Sequence, residues 1–367
     1  MSQLPLAGVK VLDLSRVLAG PLATMMLGDL GADVIKVERP VRGDDTRAWG
    51  PPFDANGQSA YYLSINRNKY SLAADFSAAN DLETVRGLLK DADVVVENFL
   101  PGALDRVGLR AADELRRLPD LVWCSLTGFG QNSTRPGYDF VVQAEAGWMA
   151  ITGERDGAPM KSGVALADLV AGKDAAIAIL AALLGRARGA QFNRHIQITL
   201  AASARAALVN VAQNALVSGA DARRWGNAHA NLVPYQLFQA SDRPIVIAVG
   251  SDEQWRACVS ALDLPQLAED SQLLTNRGRL DNRDRIVSAF SQRLATRSAV
   301  EWLRILEGVN VPCGVVKSVL EAIRDAGEAS ALTGMPSSVG GRVRVPPPRL
   351  NEQGDLIRRA GWAAFPG

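Results

Sequence analysis

Residues 8–38 read GVKVLDLSRVLAGPLATMMLGDLGADVIKVE, and this stretch decides the fold. Its first apolar run, residues 9–14, has the length and composition of a buried strand. An apolar helix is predicted over residues 21–30, and a second buried strand over residues 33–38. Two strands joined by a helix predict a parallel pair, because parallel neighbours need a crossover connection of this kind.

The alternation of strands and helices continues through the first half of the chain. An amphipathic helix over residues 81–90 precedes two further strand patterns, residues 93–97 and 121–127. We therefore expect an α/β fold with an open, Rossmann-like parallel sheet covered by helices on both faces. Such sheets bind ligands beyond the carboxyl ends of their strands. The loops expected to bind a ligand are those that follow Leu14, Glu38, Glu97 and Thr127.

The second half predicts further helices and strands and a smaller α/β domain. Residues 227–239 have no regular pattern and are interpreted as an irregular crossover, and the C-terminal stretch is rich in Pro and Gly. Helices are predicted at residues 174–184, from residue 200 to about 218, and at 253–262, 281–296 and 298–307, and strands at 195–200 and 244–249. The expected domains, joined by long linkers, are a large one (1–205), a small one (225–325) and a C-terminal segment returning to the large one (326–367).

Composition excludes several classes of function. The 367 residues are 47% hydrophobic and 22% charged, with a net charge of +1, so neither nucleic acid nor an acidic membrane is an expected partner. No signal-peptide pattern opens the chain, and the three cysteines lack motif spacing, which is typical of a cytoplasmic protein. Two histidines cannot form a His-rich metal site, and phosphate-loop, dinucleotide and GxSxG motifs are absent from the sequence. We expect no tightly bound cofactor.

Asp168 is the most informative single residue. It lies within GVALADLVAG, residues 163–172, between small apolar residues and just before the helix predicted at residues 174–184. A partly desolvated carboxylate at such a point is suited to nucleophilic attack on a carbonyl. An acid at the start of a helix also stabilises the helix dipole, and the local sequence leaves both interpretations open.

An ordered set of loops supports the catalytic interpretation. The chain resembles the class III (family III) coenzyme A transferases and their racemase relatives over roughly residues 5–330, as judged by motif order. The segments that carry the resemblance are GVKVLDLSRVLAGP (8–21), LGADVIKVE (30–38), GDDTR (43–47), NRNK (66–69), DVVVENFLPG (93–102), Tyr138-Asp139, Gln143-Ala144 and Thr152-Gly153.

The resemblance implies an acyl-CoA:carboxylate CoA-transferase, with CoA and acyl-CoA as substrates. Asp168 would attack the donor thioester to form a mixed anhydride, and the released CoA thiolate would then form an aspartyl-CoA thioester. The acceptor acid would reverse these steps and leave as the new acyl-CoA. One thioester replaces another, which agrees with the missing nucleotide-binding motif. The resemblance also implies an intertwined homodimer.

Several residues are expected to bind CoA or the acyl group, most of them by the resemblance. Arg67 and Lys69 are not implied by it: we infer from their chemistry that they bind phosphate. Each of these cations taken alone is equally consistent with a solvated surface charge. Arg16, Val17, Leu18 and Ala19 would line the CoA thiol arm, Arg39 would lie beside the adenine, Asn98, Phe99, Ala103 and Arg106 would hold the nucleotide end, and Tyr138 and Asp139 would face the acyl group.

Two departures from the family pattern bear on the activity. Residues 226–231, GNAHAN, stand where some members carry a glycine-rich lid; His229 there is a candidate for substrate contact or a plain loop residue, and His195 is interpreted as structural. Tyr138 stands where racemases have a histidine base, which favours transferase over racemase.

The substrate pair and two alternative functions complete the hypothesis. Because Arg16, Arg47 or His229 are available for a second carboxylate, we favour dicarboxylic acids, with succinyl-CoA as donor. The alternatives are an α-methylacyl-CoA racemase or epimerase and a non-catalytic CoA-ester binding protein.

Overall fold

The computed structural model describes residues 3–366. The chain divides into two compact units. The first comprises Met1–Met149, Lys161–Ala220 and Ala326–Gly367, and the second Ala150–Met160 and Asp221–Asp325.

A six-stranded sheet in the order β3-β2-β1-β4-β5-β6 forms the centre of the first unit, and all of its pairings are parallel. The predicted parallel α/β sheet is confirmed. The strand order reverses between β1 and β4, which is the point where open α/β sheets bind ligands. The strands are β1 Lys10–Asp13, β2 Asp33–Glu38, β3 Lys69–Ala73, β4 Val94–Glu97, β5 Val122–Thr127 and β6 His195–Thr199.

Alternate side chains of the central strands enter two separate cores. Val11 and Val34 pack on one face of the sheet with the helices α1 (Ala19–Asp29) and α7 (Leu166–Ala187). Leu12 and Ile35 pack on the other face. Burial on both faces explains why these strands read as continuous apolar runs. The helices of the first unit are α1 Ala19–Asp29, α2 Ala60–Ile65, α3 Ala79–Lys90, α4 Ala111–Arg117, α5 Asp139–Glu145, α6 Trp148–Ile151, α7 Leu166–Ala187, α8 Leu200–Ala206 and α9 Val209–Ser218; α6 extends into the second unit.

The structure corrects the predicted elements in four places. Helix α7 begins at Leu166, so Asp168 lies inside its first turn instead of before it. The long helix predicted after residue 200 is two helices, α8 and α9, interrupted at Ala207 and Leu208. Strand β3 was not predicted, because Lys69 breaks its apolar pattern. Residues 227–239, interpreted from sequence as an irregular crossover, contain the strand β7 (Tyr235–Gln239).

The C-terminal residues pack within the first unit. Phe365 stacks on Tyr70 of β3 at 4.1 Å between ring centroids. The indole Nε1 of Trp362 donates to the Leu88 carbonyl at 2.9 Å. The amide of Ser71 donates to Gln353 Oε1, also at 2.9 Å. These contacts cover the outer edge of β3, where no neighbouring strand pairs with its backbone. The last helix, α16, spans Gly354–Ala360.

The second unit contains an antiparallel sheet in the order β7-β8-β9. Its core packs Trp255, Phe290 and Trp302. Residues 150–160, expected in the large domain, cluster here because Arg224 donates to the carbonyls of Glu154 and Gly157. Its elements are β7 Tyr235–Gln239, β8 Pro244–Ala248, α10 Asp252–Ala261, α11 Pro265–Ala268, α12 Asn276–Asp281, α13 Arg283–Leu294, α14 Ala299–Glu307, β9 Cys313–Val315 and α15 Val319–Ala326.

Two kinds of feature are absent from residues 3–366. None of the helices there has both the length and the apolar character needed to cross a membrane. The same residues contain no group of three or more His, Cys, Asp or Glu side chains placed to hold a metal ion.

Candidate active site

Two cavities lie at the carboxyl ends of the parallel strands in the first unit. One has a volume of about 340 Å³ and is bordered by the loops that follow β1, β2 and β3 and by Phe99 after β4. The other, of about 270 Å³, is bordered by the loops after β1, β4 and β5 and by Asp168. Arg16 and Phe99 line both cavities. The loops that were expected to bind a ligand therefore come together at the reversal of strand order.

Asp168 reaches the smaller cavity from the first turn of α7. The residue before this helix, Ala165, has no side chain that caps it. Asp139 supplies the cap from α5: its Oδ1 accepts the amide of Ala167 at 2.8 Å and the amide of Asp168 at 3.4 Å. A carboxylate at this position compensates two of the free amides at a helix N-terminus.

Asp139 is itself held by a buried amide. Gln143 Nε2 donates to Asp139 Oδ2 at 2.7 Å, while Gln143 Oε1 accepts the amide of Ser162 at 2.8 Å. Both carboxylate oxygens of Asp139 thus accept hydrogen bonds from opposite sides. This fixes the carboxylate next to Asp168.

The environment of Asp168 disfavours its negative charge. Burial, and secondarily the charge of Asp139, raise the pKa of the Asp168 carboxyl to about 7. A carboxylate with a raised pKa holds its electron pair in a poorly solvated state and is more nucleophilic than one in water. A pKa perturbed by burial and a specific partner in a cleft is a feature of functional sites.

The loop of residues 16–19 forms one wall of this cavity. Asn98, directly after β4, accepts the amide of Arg16 at 2.9 Å and donates to the Arg16 carbonyl at 2.7 Å. The amide of Val17 donates to the carboxylate of Asp44 at 3.2 Å. Val17 has φ of 70°, a strained conformation for a β-branched residue. The loop is thus held in one shape by contacts from residues that follow two strands, and its Leu18 side chain is buried.

Charged side chains border the larger cavity. Arg39, which is exposed, pairs with Asp45, and Arg16 Nη1 lies 3.4 Å from the same carboxylate. The guanidinium of Arg16 lies 5.6 Å from the centroid of the Phe99 ring. Lys36 and Asp44, which also line this cavity, form a pair at 2.9 Å whose side chains are fully buried. The exposed cations and the aromatic ring suit a ligand with phosphates and a planar base.

Several predicted binding residues are not at these cavities. Leu18, Ala103, Arg106 and Asp139 are absent from the lining of both. Arg106 is nevertheless exposed, in the short 3-10 helix Asp105–Val107. Tyr138 does line the smaller cavity, and its side chain is 60% exposed. Its hydroxyl is therefore accessible to a ligand.

Arg67 and Lys69 are corrected by the structure. Arg67 forms two hydrogen bonds with the carboxylate of Asp29, and it is buried. Lys69 is fully buried and donates to Asp13 Oδ2 at 3.0 Å, and to the Pro21 carbonyl and Asn66 Oδ1. Because both cations already have buried partners, they stabilise the fold and are not phosphate ligands.

Arg47 is likewise engaged. Its guanidinium bonds to both carboxylate oxygens of Glu38, at 2.7 and 2.8 Å, and to the Tyr62 hydroxyl at 2.6 Å. It is therefore unavailable for the second carboxylate of a substrate. Arg16, whose one ion pair among the described residues is the 3.4 Å contact with Asp45, lines the cavity and remains a candidate for that role.

The two histidines have different surroundings. His195, on β6, lies 3.0 Å from the Ser125 hydroxyl. His229 belongs to the second unit, where its Nδ1 accepts the amide of Asn231 at 3.0 Å and its ring contacts Tyr235. The GNAHAN loop is thus ordered by its own hydrogen bonds.

Tyr61 is a residue that sequence reasoning missed. Burial, then the charges of Asp168, Asp139 and Asp44, raise the pKa of its hydroxyl to about 12. Tyr61 therefore lies within electrostatic reach of Asp168, and its ring meets Trp49 edge to face at 5.1 Å. The sequence gives little signal for this, because Tyr61 is more than a hundred residues from Asp168 and occurs in an ordinary short helix.

Proteins of known name resemble the chain over most of its length. Succinyl-CoA:glutarate CoA-transferase of Mus musculus is 44% identical over 328 residues, 89% of this chain and 75% of that protein. Succinate–glutarate CoA-transferase of Agrobacterium fabrum is 42% identical over 330 residues, 88% of this chain and 82% of that one.

A solved structure and a family pattern agree with these relatives. The crystal structure of a CAIB/BAIF family protein from Brucella suis superposes with a TM-score of 0.85 at 39% identity, covering 98% of this chain and 99% of that one. Residues 6–352 match the family described as CoA-transferase family III. The assignment made from the loops is confirmed: the chain belongs to CoA-transferase family III, and it is a CoA-transferase.

Proposed function

We propose that the chain moves CoA from an acyl-CoA donor to a carboxylic acid with Asp168 as the covalent nucleophile. The observation that carries this proposal is the position of Asp168 in the first turn of α7, where it lines the 270 Å³ cavity beside Asp139. The raised pKa of this carboxyl supports the same role.

The proposed chemistry conserves the thioester. An Asp168 oxygen attacks the donor carbonyl and the carbon–sulfur bond breaks. This releases CoA thiolate and forms a mixed anhydride between Asp168 and the donor acyl group. The thiolate attacks the aspartyl carbonyl, which releases the donor acid and forms an aspartyl-CoA thioester. The acceptor carboxylate then attacks that carbonyl and expels the thiolate again. Finally the thiolate attacks the acceptor's acyl carbon, giving the new acyl-CoA and free Asp168 carboxylate.

The helix amides nearest to Asp168 are not free to bind the oxyanion of these steps. Those of Ala167 and Asp168 are occupied by Asp139. Negative charge on the thioester oxygen therefore needs another donor, and we assign this role to the hydroxyl of Tyr138, which is accessible at the cavity. Arg16, Val17 and Ala19 would guide the thiol arm, with the Leu18 side chain buried, while Arg39, Asn98 and Phe99 would border the nucleotide.

The preferred substrates are proposed to be succinyl-CoA and a dicarboxylic acceptor. The printed names of the mouse and Agrobacterium relatives pair succinate with glutarate. Arg16 lies at the same cavity as Asp168 and would hold the distal carboxylate of either acid. A panel of acceptors tests this: glutarate should exceed the monocarboxylate valerate in kcat/KM, and Arg16→Gln should reduce the preference. Equal use of both acids would contradict it.

The covalent step is tested by intact mass after acid quench. Wild type incubated with succinyl-CoA should gain the mass of CoA less one water, whereas Asp168→Asn should not. Asp156→Asn, an exposed aspartate of the second unit, is the matched control and should form the adduct as wild type does. Transfer by Asp168→Asn at the wild-type rate would exclude a nucleophilic role. Exchange of the α-hydrogen for deuterium without transfer would instead indicate a racemase.

We propose a homodimer from the exposed apolar residues of α9, and a cytoplasmic location from the free cysteines. Helix α9 exposes Val209, Leu216 and Val217, an apolar surface that fits an interface in the proposed intertwined homodimer. Light scattering should give a dimer that persists on dilution. Cys124, Cys258 and Cys313 are free thiols, which supports a reducing, cytoplasmic location.

A further inference from the structure

Three arginines surround one tryptophan in the second unit. The guanidinium carbon lies 4.1 Å from the Trp225 ring centroid in Arg223, 4.8 Å in Arg283 and 5.8 Å in Arg155. The same four residues line a cavity of about 350 Å³. That volume falls within the range of small-molecule sites, roughly 300–1,000 Å³.

The charges at this cavity are unbalanced. Two of its lining residues have partners: Asp281 pairs with Arg277 at 3.2 Å, and Arg285 pairs with Asp270 at 2.6 Å. Among the described lining residues, Asp284 is then the one carboxylate left to oppose the three cations around Trp225. Attraction to the indole face offsets part of their mutual repulsion. A bound anion would neutralise the repulsion that remains between the three cations.

Arg283 has a donor without a partner. Its Nη2 donates to the carbonyls of His229 and Ala230 at 3.0 and 2.9 Å, so the side chain is fixed. Its Nη1 is buried and has no hydrogen-bond partner among the described residues. Burial and the charge of Arg155 lower the pKa of this guanidinium, against the opposing charge of Asp284. A buried charged donor without an acceptor is uncommon and destabilising, which indicates that an acceptor belongs there.

The shape of the cluster selects the kind of anion. A carboxylate satisfies one guanidinium fork and leaves the other two cations unpaired. A phosphate group has three terminal oxygens and up to two charges, and it accepts from several guanidiniums at once. We propose that Arg155, Arg223 and Arg283, arranged around Trp225, form a binding site for a phosphate group. This goes beyond the transfer chemistry, which uses none of the three.

The phosphate has two candidate sources. One is the 3′-phosphate of CoA itself, and the other is a separate phosphorylated metabolite or free phosphate ion. Calorimetric titration of the full chain in a phosphate-free buffer distinguishes them. The probes are inorganic phosphate, CoA, 3′-dephospho-CoA and glutarate.

The test variant is Arg155→Gln/Arg223→Gln, because both side chains are exposed and their loss leaves Arg283 and its loop contacts intact. The matched control is Arg256→Gln/Arg324→Gln, which removes two exposed charges from the same unit away from the cavity. We expect phosphate to bind wild type and control alike, and to bind the test variant at least about tenfold more weakly.

The other probes identify the source or overturn the proposal. If the test variant weakens CoA but not 3′-dephospho-CoA, the site takes the 3′-phosphate of the substrate. If the test variant weakens the binding of inorganic phosphate but not of CoA, the ligand is a phosphate compound other than CoA. If neither inorganic phosphate nor CoA shows saturable binding that depends on the two arginines, the proposed site is wrong. The proposal is also wrong if the binding of glutarate depends on these two arginines and the binding of phosphate does not.

Discussion

Asp139 accepts the backbone amides of Ala167 and Asp168 through one oxygen, while its charge opposes ionisation of the Asp168 carboxyl. The Asp139 side chain thus caps the start of the helix that positions Asp168. Its charge also makes the Asp168 carboxylate a stronger base. Local stability and reactivity are coupled at this point, because the acid that caps α7 also raises the energy of the anion beside it.

The rate of transfer should depend on pH through Asp168. Its carboxyl has a pKa of about 7, and only the ionised form attacks a thioester. We expect kcat/KM to fall about tenfold per pH unit below 7 and to level off above it. Succinate and glutarate carboxyls stay ionised down to about pH 6. A profile measured from pH 6 to about 8.5 that is flat throughout would contradict an ionising nucleophile with this pKa.

Asp139→Asn should move that profile to lower pH. Burial is the larger cause of the raised pKa, so removing the second cause should shift the midpoint by about one unit or less. Asparagine has one acceptor oxygen where Asp139 uses two, so either Ala167 or Gln143 loses its partner. That loss should lower stability by about 1 kcal/mol.

The pH midpoint separates the two roles of Asp139. A purely structural cap would reduce stability and rate without moving the midpoint. Gln143→Leu is the matched control, because it also breaks the contact with Asp139 but leaves the charge in place. Its midpoint should stay closer to that of wild type than the midpoint of Asp139→Asn does.

Asp168→Asn should stabilise the fold at high pH. A folded-state pKa raised from 3.8 to about 7 means that the folded protein holds this proton more tightly than the unfolded chain. Stability is therefore lost as pH rises from about 4 to 7, by up to about 4 kcal/mol. The neutral amide avoids this loss, so the variant should unfold at higher urea concentration than wild type at pH 8. At pH 4 the two should be similar, and an equal difference at both pH values would mean that ionisation of Asp168 is not its cause.

The loop contact at the strand reversal can be removed with Asn98→Ala. Both hydrogen bonds to the Arg16 backbone are lost, and the strained Val17 loop is then free to relax. We expect KM for acyl-CoA to rise about three- to thirtyfold, with a smaller change in kcat. Asn80→Ala, an exposed position on α3, is the control. An unchanged KM would mean that this loop does not contact the thiol arm.

The sequence predicted the parts of the fold that depend on local pattern. The apolar runs of β1, β2, β4 and β5 are visible because both faces of these strands are buried. The local pattern around Asp168 is equally consistent with an acid at a helix start, and the ordered family motifs elsewhere in the chain favour the catalytic role. Strand β3 was missed because two of its residues, Lys69 and Ser71, are polar yet buried, each satisfied by a distant side chain.

The same cause accounts for the errors at the site. Arg47, Arg67 and Lys69 are cations in loops or strand starts. From sequence alone Arg67 and Lys69 are consistent with phosphate contact, and Arg47 is consistent with binding a second substrate carboxylate. Their carboxylate partners, Glu38, Asp29 and Asp13, lie between 9 and 56 positions away in the chain. Pairing at such separations is set by the sheet order, which no local pattern reveals.

Lys69→Met tests whether that cation is structural. Burial opposes ionisation of Asp13, but the charges of Lys69 and Lys36 and hydrogen bonds from Ser15 and Thr24 outweigh it and lower the pKa of Asp13 to about 2. Removing Lys69 leaves this buried carboxylate with less compensation. We expect the free energy of unfolding to fall by about 3–5 kcal/mol in urea titration. Lys90→Met, at an exposed position, should change it by less than about 0.5 kcal/mol. A phosphate ligand would give the opposite pattern, with unchanged stability and a raised KM for acyl-CoA.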